Sequence, residues 1–273
     1  MTPRTIPLTL LCLLAAGPSG CRNATDRPDP PVAASNSLLE CAARDLLGDA
    51  TPVLRLAEPG MCPGHFDIRP SQVDQLRRCR LLLRLDFQKS LDRKLSGAKE
   101  AGLAIAEIRI PGGLCEPDSY LAACRQTAEA LIAAGLLDRP AADERLDEIT
   151  RRMAELASRC QQRAAGLKNE PVVASVHQEA FCRWLGLRPV ATFSGADSAG
   201  VGQVDAAIRE GELAGARLVI ANLPEGRRVA DALAERLGAK VVVFGNFPAL
   251  GKGDASFDDL LTANVAALTE AGG

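Results

Sequence analysis

Histidine is nearly absent from this chain: His65 and His177 are the only two in 273 residues. An H-E-x-x-H zinc helix, which needs two histidines four apart, is therefore excluded. Aromatic residues are also scarce, at 3% with one Trp and one Tyr, too few for a surface that stacks bases or sugars. There is no basic excess. Lys and Arg number 32 against 34 Asp and Glu, a net charge of −2, which argues against a nucleic-acid partner. No C-x-x-C pair exists, so neither a thioredoxin-like redox motif nor a zinc ribbon is supported. The chain has no G-x-S-x-G element and no Rossmann glycine pattern, and Gly251-Lys252-Gly253 lacks phosphate-loop spacing. What remains is ordinary globular composition, 47% hydrophobic and 24% charged. That excludes a disordered or collagen-like chain and leaves length for one large domain or two ordinary ones.

The one conspicuous apolar run lies at the N-terminus, from Ile6 to Ala16 behind Arg4. It is shorter than the roughly 20 residues a spanning helix needs and fits a secretory signal peptide over residues 1–20. Ser19-Gly20-Cys21 resembles the end of a bacterial lipoprotein signal, in which the cysteine is lipidated; the departure is Pro18, where that pattern usually has Leu. The protein is thus expected to be exported to the cell envelope or periplasm. Residues 21–36, rich in Pro, Asp, Ala and Ser, read as a tether to a lipid on Cys21. Beyond Cys12 and Cys21 lie seven cysteines: Cys41, Cys62, Cys79, Cys115, Cys124, Cys160 and Cys182. An exported chain is permitted disulfides, and an odd count leaves at least one thiol over.

From Leu38 onward short apolar runs alternate with amphipathic stretches. Strands are expected at Pro52–Leu56, Arg80–Leu85, Ala104–Ile110, Pro171–Ser175, Val190–Phe193, Leu218–Ala221 and Lys240–Phe244. Helices are expected from Pro70, over Leu91–Ala101, from Pro117 to about Ala134, and over Glu179–Leu185, Gly202–Ala214, Arg228–Leu237 and Phe257–Ala271. Ser37–Cys41 opens either a helix or a strand. Such alternation implies parallel sheets covered by helices. The longest periodic segment, residues 139–167, places Leu146, Ile149, Met153, Leu156 and Cys160 on one face. A helix of about 26 residues within it would be about 39 Å long, enough to join two lobes. The fold class is therefore α/β, with two parallel-sheet lobes (37–138 and 168–273) joined by one long linking helix.

Ligands of such sheets sit beyond the carboxyl ends of strands, and both histidines occupy such places. One histidine per lobe suggests a metal site in the cleft, since imidazole suits zinc, copper, nickel and iron; an exposed loop His and a helix-cap His are the plainer alternative. Cys62 and His65 form a C-x2-H step, which serves a metal or is a half-cystine beside a loop histidine. Cys115 also follows a strand, as a ligand or as a disulfide partner, whereas Cys182 suits burial. Glu225 is the only carboxylate in the loop Asn222-Leu223-Pro224-Glu225.

Taken together these positions resemble the zinc/manganese type of metal-binding substrate-binding protein of bacterial ABC transporters. Four stretches carry the resemblance: His65-Phe66 followed by Pro70-Ser71; Pro117-Asp118-Ser119-Tyr120-Leu121; Ala174-Ser175-Val176-His177-Gln178-Glu179-Ala180-Phe181; and Val229 to Ala239 with the valine strand behind it. The resemblance implies a metal held between two lobes, a rigid linking helix with small lobe movement, no enzymatic activity, and delivery to an ABC permease in the cytoplasmic membrane by a monomeric binding protein. His65 and His177 match two of the family's metal ligands. Gly112, Gly113 and then Cys115 stand where the family has its second His, and Asn222 and Asn246 where it has acidic ligands. The expected ligand set is His65, Cys115, His177 and Glu225, for a divalent transition metal, zinc first and copper second. Capture by neutral imidazoles and a thiolate implies affinity that falls with pH. Two other readings are an envelope metal chaperone or disulfide-stabilised scaffold without transport, and a Cys-His hydrolase using Cys62 or Cys115 with His177. The hydrolase needs an orienting group and an oxyanion site that the sequence does not display.

Overall fold

The structure, a computed structural model, describes residues 29–58, 67–198, 200–248 and 256–272. The expected leader, Cys21, the loop carrying Cys62 and His65, and Gly251–Gly253 lie outside the described residues. Among the described residues no helix is long and apolar enough to cross a membrane.

The first lobe contains β1 (Val32–Ala34), α1 (Ser37–Leu47), β2 (Val53–Arg55), α2 (Pro70–Leu76), β3 (Leu81–Leu85), α3 (Ser96–Glu100), β4 (Ala104–Ile108) and α4 (Pro117–Ala133). Then comes α5 (Arg139–Ala164), followed by β5 (Pro171–Ser175), α6 (Glu179–Trp184), β6 (Arg188–Phe193), α7 (Val201–Ala214), β7 (Leu218–Asn222), α8 (Arg228–Leu237), β8 (Lys240–Phe244) and α9 (Phe257–Gly272). All strand pairs are parallel, in the orders β2-β1-β3-β4 and β6-β5-β7-β8. Both lobes therefore share one topology, and the expected α/β class with two parallel-sheet lobes is what the chain forms. The central strands are buried on both faces because helices cover both: all five residues of β3 and of β7 are buried, Arg84 of β3 through ion pairs with Asp92 at 2.7 Å and Glu107 at 3.1 Å.

Two local expectations need correction. Residues 32–36 are not tether. Val32, Ala33 and Ala34 are fully buried as a central strand, and Asn36 caps α1 by accepting a hydrogen bond from the Leu39 N–H at 3.1 Å. The expected helix over Leu91–Ala101 is a 3-10 stretch, Asp86–Leu95, followed by the short α3. The sequence permits disulfides and leaves their pairing open. No disulfide joins any of the six described mature cysteines, Cys41, Cys79, Cys115, Cys124, Cys160 and Cys182, and all six are buried. They pack as small apolar groups, so a disulfide-stapled scaffold is not what holds this fold.

The linking helix α5 starts at Asp138, whose carboxylate accepts from the Ala141 N–H at 2.8 Å, with Pro140 in the first turn. Its buried stripe is Ala142, Ile149, Met153, Leu156, Cys160 and Ala164. On its flank Arg152 pairs with Asp45 of α1 and, at 3.3 Å, with Asp258 of α9. Asp45 also accepts from the Tyr120 hydroxyl at 2.7 Å, and the Tyr120 ring stacks on Phe257 with centroids 4.1 Å apart. One guanidinium thus ties helices of both lobes to α5. One apolar cluster runs without a break from Val32 through α4 and α5 to Leu268.

Candidate metal centre at the carboxyl ends of the second sheet

In each sheet the chain steps outward on both sides of the strand where the lobe begins, so the strand order reverses between β1 and β3 and again between β5 and β7. Ligands of open parallel sheets favour the crevice at such a reversal. In the first lobe that place is closed by neutral groups. The Ser35 hydroxyl donates to Gln88 Oε1 at 2.6 Å, the Leu85 N–H donates to the same oxygen at 3.0 Å, and both side chains are buried.

In the second lobe the same place carries ionisable groups. His177 follows β5, and Glu225 ends a 3-10 turn behind β7. Their Nε2 and Oε1 atoms are 3.7 Å apart. The histidine side chain is 58% exposed and the glutamate 16%, so a solvated imidazole faces a carboxylate set into the wall. That carboxylate is held on both oxygens. Ser175 Oγ donates to Oε2 at 2.7 Å, and the Gly195 N–H, from the loop after β6, donates to Oε1 at 2.9 Å. The Ser175 oxygen in turn accepts from the His177 N–H at 3.3 Å.

The expected ligands are distributed as follows. His177 and Glu225 come together; His65 lies outside the described residues. Cys115 is engaged elsewhere. It is 1% exposed, and its thiol donates to the Gly245 carbonyl at 3.0 Å, across the seam between the lobes. Asn264 on α9 completes this seam: its Nδ2 donates to Gly245 O at 3.0 Å, and its Oδ1 accepts from Gly245 N at 2.9 Å. Burial pushes the Cys115 thiol far above its ordinary range, Glu116 and Cys182 add to the rise, and the Asn264 contact opposes it. The thiol is thus committed to the seam, as a buried small group with its hydrogen bond to Gly245 made. Among the described residues no group of three or more His, Cys, Asp and Glu side chains is placed to hold a metal ion.

Asn222 and Asn246 are tied to one another through Gln178. Gln178 Nε2 donates to Asn222 Oδ1 at 3.1 Å and to Asn246 Oδ1 at 2.7 Å, and all three residues are buried. The buried groups that begin directly after His177 are therefore neutral amides. The loop before α4 meets α6 at Gly113, where an added Cβ would lie 2.9 Å from Glu116 Oε1 and 3.2 Å from the Ala180 Cβ. Glu116 accepts from the Gly113 N–H at 3.3 Å, and burial raises its carboxyl above the ordinary value. Sequence reading missed Ser175, Gly195 and Gln178. The available signal was position: Ser175 ends its strand two residues before His177.

Fold and site define a two-lobed α/β protein with a His–Glu pair at the carboxyl ends of the strands of its second sheet. The chain belongs to the ZnuA family, described as zinc-uptake complex component A, periplasmic, whose family model matches residues 32–271. That description is of an uptake component and not of an enzyme. Among solved structures, a manganese-bound periplasmic metal-binding protein from Candidatus Liberibacter asiaticus superposes with a TM-score of 0.75 at 13% identity, covering 88% of this chain and 98% of that one. The same protein has been solved with cadmium. A crystal structure of ZnuA gives a TM-score of 0.73 at 15% identity, over 89% and 98% of the two chains. At these identities the likeness shows the fold. No curated protein matches the sequence significantly.

Proposed function

We propose that this protein is the extracytoplasmic metal-capturing component of an ABC import system, with zinc as its cargo. The carrying observation is the pairing of His177 with Glu225 at the strand-order reversal of the second sheet, in a chain of the ZnuA family. In this reading His65, His177 and Glu225 hold the ion in the cleft, and Cys115 is left out because its thiol serves the seam. Two imidazoles and one carboxylate are a familiar zinc set. A single carboxylate beside neutral amides suits manganese less well, since that ion favours oxygen-rich sites. Without a thiolate, the case for copper weakens as well. Capture is reversible and makes or breaks no covalent bond in a substrate. The loaded protein, monomeric and tethered through a lipid on Cys21, hands the ion to a permease in the cytoplasmic membrane.

The test is zinc affinity, measured by competition with a chromophoric chelator on protein purified without a polyhistidine tag. His65→Ala and His177→Ala should each weaken binding by two orders of magnitude or more, roughly the loss of one strong ligand, while the far-ultraviolet circular dichroism stays native. Wild-type affinity in both variants would remove the assignment. Manganese bound more tightly than zinc would overturn the choice of cargo.

A further inference from the structure

We propose that Ser175 is a positioning residue for the metal site: it clamps Glu225 in the orientation that faces His177, and it does so with a device that both lobes contain. The inference rests on the metal-binding reading above, and deepens it.

The two sheets can be overlaid by their pairing register alone. Val32 pairs with Leu81 in the first, and Val172 pairs with Leu218 in the second. With those pairs matched, Ser35 falls on Ser175. Leu85, the last residue of β3, falls on Asn222, the last residue of β7, and Gln88 falls on Glu225, each the third residue past its strand. The hydrogen bonds then coincide as well. Ser35 Oγ donates to Gln88 Oε1 at 2.6 Å, and Ser175 Oγ donates to Glu225 Oε2 at 2.7 Å. Ser35 and Ser175 are both fully buried. One architecture has thus been used twice, once with a neutral amide and once with a carboxylate.

The neutral copy shows what the clamp does without a charge: it closes the end of the strand pair. In the second lobe the same hydroxyl has a further consequence. A serine hydroxyl has one proton to give, and here it goes to Glu225, while the oxygen accepts the His177 backbone N–H at 3.3 Å. Ser175 therefore links the two groups of the site through one atom. With Oε2 held by Ser175 and Oε1 by Gly195, the carboxylate cannot swing away, and Oε1 stays 3.7 Å from His177 Nε2. Partners of this kind orient metal-site side chains, and their removal typically costs about 10–100-fold in metal affinity.

The duplicated clamp supplies its own control. Ser175→Ala and Ser35→Ala delete equivalent hydroxyls at equivalent depth, and only the first should alter zinc binding. Zinc titrations against a competing chelator are run on the wild type, both serine variants, Ser175→Thr, Glu225→Gln and the double variant Ser175→Ala/Glu225→Gln. A thermal melt of each is recorded in parallel. Gln88 shows that a glutamine fits this clamp, so Glu225→Gln is expected to fold. Ser175→Ala should weaken zinc by about 10-fold or more, Ser175→Thr should recover most of the loss, and Ser35→Ala should stay within about two-fold of wild type although it melts lower. In the Glu225→Gln background, Ser175→Ala should cost nothing further.

Wild-type zinc affinity in Ser175→Ala, an equal loss in Ser35→Ala, or an undiminished loss in the Glu225→Gln background would each overturn the proposal, while leaving zinc capture standing. A wild type that binds no zinc would instead remove the metal reading, and this inference with it. Should Ser175→Ala not fold, Gly195→Ala displaces the same carboxylate from the opposite side, and unchanged zinc affinity there also overturns the proposal.

Discussion

Gly195→Ala is the substitution in which a single added methyl group reports on the site. The backbone at Gly195 does not lie in the left-handed region, so alanine meets no conformational barrier. The obstacle is contact: the new Cβ would sit 2.8 Å from Glu225 Cβ and 2.9 Å from its Oε1. The first neighbour is close to the backbone and cannot swing aside, so either the loop after β6 retreats or Glu225 does. Overpacking of this kind costs about 1–3 kcal/mol, and a retreat also lengthens the Gly195 hydrogen bond to Oε1. For a chain of this size about 1 kcal/mol corresponds to about 2–4 °C in melting temperature, so a fall of roughly 2–12 °C is expected. Zinc affinity should fall with it, by about 10-fold or more. Gly202→Ala is the matched comparison. It lies in α7 with nothing within 4 Å of the added Cβ, and alanine there should stabilise the helix by up to about 1 kcal/mol. Differential scanning fluorimetry and a zinc titration on the two variants complete the assay. A Gly195→Ala protein that melts no lower than wild type and binds zinc as tightly would refute the claim that Glu225 is wedged between β5, β6 and β7.

Two further outcomes test the frame that carries the site. Phe257→Ala removes a fully buried ring stacked on Tyr120 and should cost about 3–5 kcal/mol, read as a lower urea midpoint with an unchanged slope; a loss below about 1 kcal/mol would mean that the seam repacks. Alkaline titration tests the buried thiols. Burial, aided by Asp45 and Glu40, pushes Cys41 from an ordinary 9.0 to about 12, and burial pushes Cys79 from 9.0 to about 11. The folded state therefore keeps protons that the unfolded chain loses first. This stability is complete below pH 9 and declines as pH climbs through 9 towards 11 and 12. A urea midpoint that does not fall between pH 9 and 11 would show these thiols to be solvated.

Much of the fold was legible because parallel strands buried on both faces leave continuous apolar runs. Pro171–Ser175 and Lys240–Phe244 are read at their observed bounds, as is the helix Arg228–Leu237 between its turn signals. The strand Val32–Ala34 was not legible. It is three residues long, two of them alanine, behind a proline-rich stretch, and its burial comes entirely from neighbours on either side. The helix expected over Leu91–Ala101 takes in the end of the 3-10 stretch Asp86–Leu95 and the short α3, because short 3-10 and α turns share similar side-chain spacings. In the site, His177 and Glu225 could be found from their places past strand ends. Cys115 shares that placement, but strand-end position does not say whether a side chain faces the cleft or the seam. The Ser175 clamp required β5, β6 and β7 to converge, and no local pattern encodes that meeting.

The unbroken apolar cluster from Val32 to Leu268 bears on how this protein comes apart. Two lobes with separate cores would melt as two events, each tolerant of damage to the other. Each sheet keeps a private cluster on its outer face, but on the inner faces α4, α5 and α9 share one interior, so neither sheet can lose its inner cover without exposing the apolar face of the other. The natural unit of unfolding is then the whole described chain, and its calorimetric and van't Hoff enthalpies should agree. A site built on such a body has little partial unfolding to draw on, and hydrogen exchange should be fastest in the loops at its rim and slowest in the shared interior.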